Sequence, residues 1–178
     1  VGAGHAVAVN SGTAALHISC LAAGVGPGDI GLTSAITFAA SANCLLYAGA
    51  EASFVDIDAA TLALSPTALA RALSACPSAK AVIPVHMAGL AADAEAIREA
   101  SGQRVVIEDA AHALGGRYAS GEMIGSCAHC DLTILSFHPV KQITTGEGGA
   151  VLTNDAATAK RLRLLRNHGI ERDPAQLV

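Results

Sequence analysis

The chain lacks tryptophan, and aromatic residues make up only 3% of its 178 positions. Charge is scarce too, at 15%, against about a quarter in an average globular protein. With 52% of residues hydrophobic, this composition excludes an intrinsically disordered chain. It also lacks a membrane-helix run. A long uncharged apolar stretch, Gly31 to Ala50, is broken by Thr33, Ser34, Thr37, Ser41 and Asn43, where ~18–20 predominantly apolar residues are needed. No block of like charge interrupts the net charge of −4, so nothing marks a nucleic-acid or anionic-membrane partner. The five cysteines are odd in number and mostly lie in apolar contexts, which points to reduced thiols in a cytoplasm rather than a disulfide framework. Cys127-Ala-His129-Cys130 is the one CxxC. No second pair completes a four-ligand zinc site, so no metal is expected.

What is present is alanine, roughly a fifth of all positions, and a repeating order of short apolar runs and longer helical patterns. Strands are expected over 5–9, 30–33, 52–56, 81–85, 104–108, 132–136 and 150–153. Helices are expected over 13–23, 38–48, 65–75, 93–100 and 155–167, with Leu45, Leu46, Leu162 and Leu165 facing inward. Ser65-Pro66 supplies a cap and a first helical residue. Strand–helix alternation with continuous apolar strands predicts an α/β fold, a mostly parallel sheet with helices on both faces. Such low charge does not suit the surface of a lone domain, where about a quarter to a third of positions are charged. The chain, which opens at Val1 without Met or a signal peptide and closes at Leu177-Val178, therefore reads as the inside of something larger.

In open α/β sheets ligands bind beyond the carboxyl ends of the strands, and four polar clusters fall there. Asn10-Ser11-Gly12-Thr13 joins a strand to a helix and offers backbone N–H groups and a hydroxyl to a phosphate; the same residues also make an ordinary helix cap. Glu108-Asp109 ends an apolar strand and is followed by Ala110-Ala111-His112. A carboxylate there either caps the next segment or is a fixed anion for a cationic cofactor nitrogen, since an unpaired buried charge is costly. Ser136-Phe-His-Pro-Val-Lys141 ends another strand and places a lone lysine before Gly146-Glu-Gly-Gly149. A desolvated lysine can act as an amine nucleophile, whereas most lysines are solvated. Thr37-Phe38 sets one of three phenylalanines at the same edge, as a core residue or as a face for a ring. A lysine nucleophile, a carboxylate for a pyridinium nitrogen, a phosphate site and an aromatic face together match the needs of pyridoxal 5'-phosphate.

Asn10-Ser-Gly-Thr-Ala-Ala-Leu16, Glu108-Asp-Ala-Ala-His112, Ser136-Phe-His-Pro-Val-Lys141 and Gly146-Glu-Gly-Gly149 resemble, in order and spacing, the DegT/DnrJ/EryC1/StrS family of sugar-nucleotide aminotransferases. Thr144-Thr-Gly-Glu-Gly-Gly149, Val85-His-Met-Ala-Gly89 and Leu165-Arg-Asn-His-Gly-Ile-Glu-Arg-Asp-Pro174 are similar to its pseudaminic-acid branch. That branch aminates the 4-keto carbon of a UDP-linked 4-keto-6-deoxy-N-acetyl sugar. The resemblance implies the type I pyridoxal-phosphate aminotransferase fold, glutamate as amino donor, and a cytoplasmic homodimer with sites at the subunit interface. By the same resemblance Lys141 is the Schiff-base lysine and Asp109 the partner of the ring nitrogen. Phe38 then lies against the cofactor, Gly12, Thr13 and Ser136 contact its phosphate, and His112 stands beside its phenolic oxygen. Lys141 also argues against the dehydratase subgroup, which carries histidine there.

Family members are longer. Residues 1–178 are therefore expected to be the central cofactor-binding large domain, incomplete at both ends, without the C-terminal small domain, and inactive in isolation. The alternatives are another enzyme on the same scaffold, such as a cysteine desulfurase (Cys127 and Cys130 its foothold) or an aldolase, and a non-catalytic regulator. The isolated 178-residue chain is expected to expose apolar patches and to self-associate; sedimentation as a clean monomer would contradict that.

Overall fold

The strands are central, and their order decides where the polar clusters meet. The computed structural model describes residues 1–170, so the expectations on 171–178, including the end of the Leu165-to-Pro174 motif and the Leu177-Val178 terminus, lie outside the described residues. One seven-stranded sheet holds β1 (His5–Val9), β2 (Ile30–Ser34), β3 (Glu51–Val55), β4 (Ala79–Ile83), β5 (Val105–Asp109), β6 (Leu132–Ser136) and β7 (Gly149–Thr153). Their spatial order is β1-β7-β6-β5-β4-β2-β3. The block from β3 through β6 is parallel, while β7 runs antiparallel to both β6 and β1.

Helices cover both faces, as the continuous apolar strands predict. On one side α1 (Gly12–Ala22), α2 (Ala40–Tyr47) and α5 (Ala156–Arg166) bury Leu16, Leu45 and Leu162 against Ile83, Ile107 and Ile134. On the other, α3 (Pro66–Ala75) and α4 (Ala94–Ser101) close Leu69 and Ile97 over Leu32, Val82 and Val106. Alternation along each strand sends neighbours such as Val106 and Ile107 into opposite cores. A third cluster, with Tyr118, Ile124, Leu135 and Leu152, lies under the long segment between β5 and β6.

Local chemistry sets most boundaries. Ser11, Ser65, Asp93 and Asp155 each accept a backbone N–H from the first turn of α1, α3, α4 and α5. Three expectations are corrected. Strand β4 ends at Ile83 rather than at position 85, because Pro84 has no N–H for the ladder; Val85 then forms only an isolated bridge to Asp109. Helix α2 begins at Ala40, not at Phe38. Its inward row is Ala40, Ser41, Cys44, Leu45 and Ala48, which turns Leu46 outward with 55% of its surface exposed.

The topology brings one end of every relevant strand together. Val9 at the end of β1 and Ser136 at the end of β6 both pair with Gly149, the first residue of β7. The turn into α1 passes directly over this junction. A Cβ on Gly149 would stand 2.5 Å from the Ser11 carbonyl oxygen and 2.8 Å from the Gly12 nitrogen, and both are backbone atoms with little room to yield. Gly149→Ala should therefore destabilise the fold by about 1–3 kcal/mol, the usual cost of overpacking. Chemical denaturation would show it, and an unchanged midpoint would contradict this close approach.

Candidate active site

Asp109 closes β5 with only 5% of its surface exposed. Its Oδ1 accepts the Ala111 N–H at 3.1 Å and its Oδ2 accepts the Ser41 hydroxyl at 2.7 Å. Those bonds satisfy a charge that would otherwise be expensive to bury. Glu108, one residue earlier, points to the other face of the sheet by strand alternation. There its Oε2 accepts from Tyr118 at 2.5 Å and Thr133 at 3.2 Å, with His86 Nε2 at 3.4 Å. Burial by itself would raise the Glu108 carboxyl, but His86, Tyr118 and Cys130 hold it below the usual carboxylate range. Burial and the Glu108 charge push the Tyr118 phenol up. The adjacent carboxylates thus have separate environments, and only Asp109 faces the cavity.

That cavity, of about 820 Å³, lies at the carboxyl edge of the sheet. Gly12, Thr13, Phe38, Asp109, His112, Ser136 and Lys141, the residues singled out from sequence, all line it. Gly12 opens α1 so close to β6 that a Cβ there would meet the Ser136 Cβ at 2.9 Å. Ser11 caps the helix by accepting the Ala14 N–H at 3.1 Å, and the amides of Gly12 and Thr13 belong to the first turn, which has no intrahelical acceptors. With the Ser136 hydroxyl alongside, this end suits an anion, because the helix dipole and free N–H groups both favour negative charge. Phe38 is 74% exposed at the rim, so it is an available ring face rather than a core residue.

Lys141 sits on the segment that joins β6 to β7. Phe137 anchors this segment: its N–H donates to the Gly148 carbonyl at 2.8 Å, and its carbonyl accepts from Thr145 N–H and the Thr144 hydroxyl. The lysine is half-buried, not fully desolvated as its neighbourhood in sequence suggests, because Val140 and Ile143 beside it are exposed. Gln142 donates to the His112 carbonyl and ties the lysine segment to the one after Asp109. Partial burial lowers the His112 pKa and the Lys141 charge lowers it further, while Asp109 acts in the opposite direction. The imidazole therefore stays neutral at pH 7. Because the folded value lies below the ordinary 6.5, its contribution to stability falls as pH drops through that value.

Two residues beside the site were given no role in it from sequence, His86 and Ser41. His86 follows Pro84-Val85; its Nδ1 accepts the Ala92 N–H at 3.0 Å, which leaves the proton on Nε2, toward Glu108. Ser41 reads in sequence as a small residue in an apolar helix, and only the fold reveals its bond to Asp109. Cys127 and Cys130 do not line the cavity; both sulfurs contact the Thr133 hydroxyl. Among the described residues, no group of three or more His, Cys, Asp or Glu side chains is arranged to hold a metal.

The site's residues fit pyridoxal phosphate: a helix end for the phosphate, a held carboxylate for the ring nitrogen, a ring face and a lysine share one cavity. A family model described as the DegT/DnrJ/EryC1/StrS aminotransferase family matches residues 1–177. The spore coat polysaccharide biosynthesis protein SpsC of Bacillus subtilis (strain 168) is 44% identical over 174 residues, covering 97% of this chain and 43% of that protein. The solved structure of 3-amino-5-hydroxybenzoic acid (AHBA) synthase superposes with a TM-score of 0.90 at 38% identity, covering 99% of this chain and 46% of that one. NtdA from Bacillus subtilis, with bound cofactor PMP, gives 0.88 at 31%, covering 99% and 39%. The chain thus spans less than half the length of these relatives. The fold is that of the type I pyridoxal-phosphate-dependent aminotransferases, and the family together with the cofactor held by NtdA supports pyridoxal 5'-phosphate as the cofactor.

Lys141→Met, which keeps the aliphatic stem and removes the charge, should raise the His112 pKa without fully restoring 6.5, since burial remains the larger cause. Imidazole NMR titration would measure it; a value unmoved or lowered would contradict the electrostatic link.

Proposed function

The chain belongs to the DegT/DnrJ/EryC1/StrS aminotransferase family, and on that premise we propose that it carries the active site of a sugar-nucleotide aminotransferase. The acceptor is the 4-keto carbon of a UDP-linked 4-keto-6-deoxy-N-acetyl sugar, and the amino donor is glutamate. The observation that carries the reading is the meeting of Lys141, Asp109 and the open end of α1 in one cavity. The Val85-to-Gly89 and Thr144-to-Gly149 motifs, similar to the pseudaminic-acid branch, support the choice of sugar. The enzyme works as a cytoplasmic homodimer. Free thiols at all five cysteines support the compartment, and Phe38 and Val140, exposed where they line the cavity, support a second copy closing it.

Pyridoxal phosphate, when bound, supplies an aldehyde that takes up amines and a protonated ring that draws electrons from the reacting carbon. The residues of the chain do the rest. Gly12 and Thr13 amides and the Ser136 hydroxyl hold the phosphate dianion at the helix end. Asp109 would hold the protonated ring nitrogen, and Phe38 would offer its face to the ring. His112, neutral at pH 7, offers a hydrogen bond beside the phenolic oxygen without adding a competing positive charge. The Lys141 amine would hold the cofactor at its aldehyde and, when free, would take a proton from the donor's α-carbon and return one to the sugar carbon that receives nitrogen. Positioned proton transfer of this kind is worth typically ~10²–10⁴-fold.

Lys141→Ala should abolish the visible absorbance of the lysine-linked cofactor. In a protein of the relatives' full length it should also reduce amination across a panel of UDP- and dTDP-linked 4-keto sugars by at least about 10²-fold. Turnover that survives the substitution would sink the assignment, and amination confined to dTDP sugars would refute the UDP preference.

A further inference from the structure

We propose that Thr37 and Ser41 are positioning residues that form a directed hydroxyl relay, holding the Asp109 carboxylate toward the cofactor's ring nitrogen and tying it to the Phe38 segment. The inference rests on Asp109 being the carboxylate that meets that nitrogen.

Ser41 lies in the first turn of α2 and is fully buried. A serine inside a helix commonly bonds back to the carbonyl four residues earlier. Ser19 does so to Ala15, Ser74 to Ala70 and Ser101 to Ile97, at 2.7, 2.9 and 2.7 Å. Ser41 departs from this pattern: its hydroxyl reaches Asp109 Oδ2 at 2.7 Å and Thr37 Oγ1 at 2.7 Å. A carboxylate only accepts, so the single Ser41 proton goes to Asp109. The Thr37 contact must then run the other way, with Thr37 donating to Ser41; this takes the Thr37 proton from the longer, 3.2 Å approach to the Phe38 carbonyl. The direction is fixed as Thr37 to Ser41 to Asp109.

The relay is not a by-product of helix capping, because Ala39 occupies the cap of α2 without a side-chain bond. It meets the Ala111 N–H on the opposite oxygen, so each carboxylate oxygen is held by a different segment, one from α2 and one beyond β5. Hydrogen bonds to a carboxylate favour its charged form. The relay therefore keeps a shared proton on the ring nitrogen rather than on Asp109. It also fixes Thr37, whose chain neighbour Phe38 supplies the ring face on the same cavity.

The test uses the full chain loaded with pyridoxal phosphate labelled with ¹⁵N in the ring, comparing wild type, Ser41→Ala, Thr37→Val and Asp109→Asn. Wild type should show a protonated ring nitrogen and Asp109→Asn an unprotonated one. Ser41→Ala should fall between them, with about tenfold weaker cofactor binding, as expected for one hydrogen bond to a charged group. Thr37→Val, near-isosteric and at a half-buried position, should move both readouts the same way by less, and it decides the matter if circular dichroism shows that Ser41→Ala does not fold. If Asp109→Asn moves the ¹⁵N shift while the folded relay variants keep the wild-type shift and affinity, the relay is overturned and the role of Asp109 stands. If Asp109→Asn leaves the shift in place, the role of Asp109 is overturned and the relay with it.

Discussion

A carboxylate buried at the end of a central strand must be held by donors or give up its charge. Asp109 is held: one oxygen by α2 through Ser41, the other by the Ala111 amide. The strand is pinned as well, since the Asp109 N–H donates to the Pro84 carbonyl and its own carbonyl accepts from His86. The fold thus supplies a fixed anion at the floor of the cavity before any ligand arrives. A site organised in advance does not spend binding energy on ordering its own groups.

The remaining parts reach that anion through close backbone approach. Gly149 and Gly12 let the start of α1 lie against the ends of β6 and β7, which sets the helix amides beside Ser136. The antiparallel return from β6 to β7 then carries Lys141 back over the same edge. Burial falls from floor to rim: Asp109 and Ser41 are buried, Lys141 is half-buried, and Phe38 and Val140 are exposed.

Much of this was legible in the residues. Continuous apolar strands, a Ser-Pro cap and strand-end polar clusters yielded the sheet, the helices and seven cavity-lining residues. What stayed hidden depends on registers that residue types do not reveal. Leu46 looks as inward as Leu45 until α2 is seen to start at Ala40. Ser41 is indistinguishable in sequence from Ser19, because only the fold decides whether a helical serine bonds backward or across to another element. Glu108 and Asp109 are adjacent carboxylates whose division between two faces follows from the pleat. The partners of Glu108, His86 and Tyr118, come from separate loops.

Lys141 is the proposed amine facing the bound cofactor's aldehyde. Borohydride reduction of the full chain with pyridoxal phosphate, followed by peptide mass mapping, tests it directly. A phosphopyridoxyl group is expected on Lys141 alone; the label on Lys80 or Lys160, or on no lysine, would overturn that role.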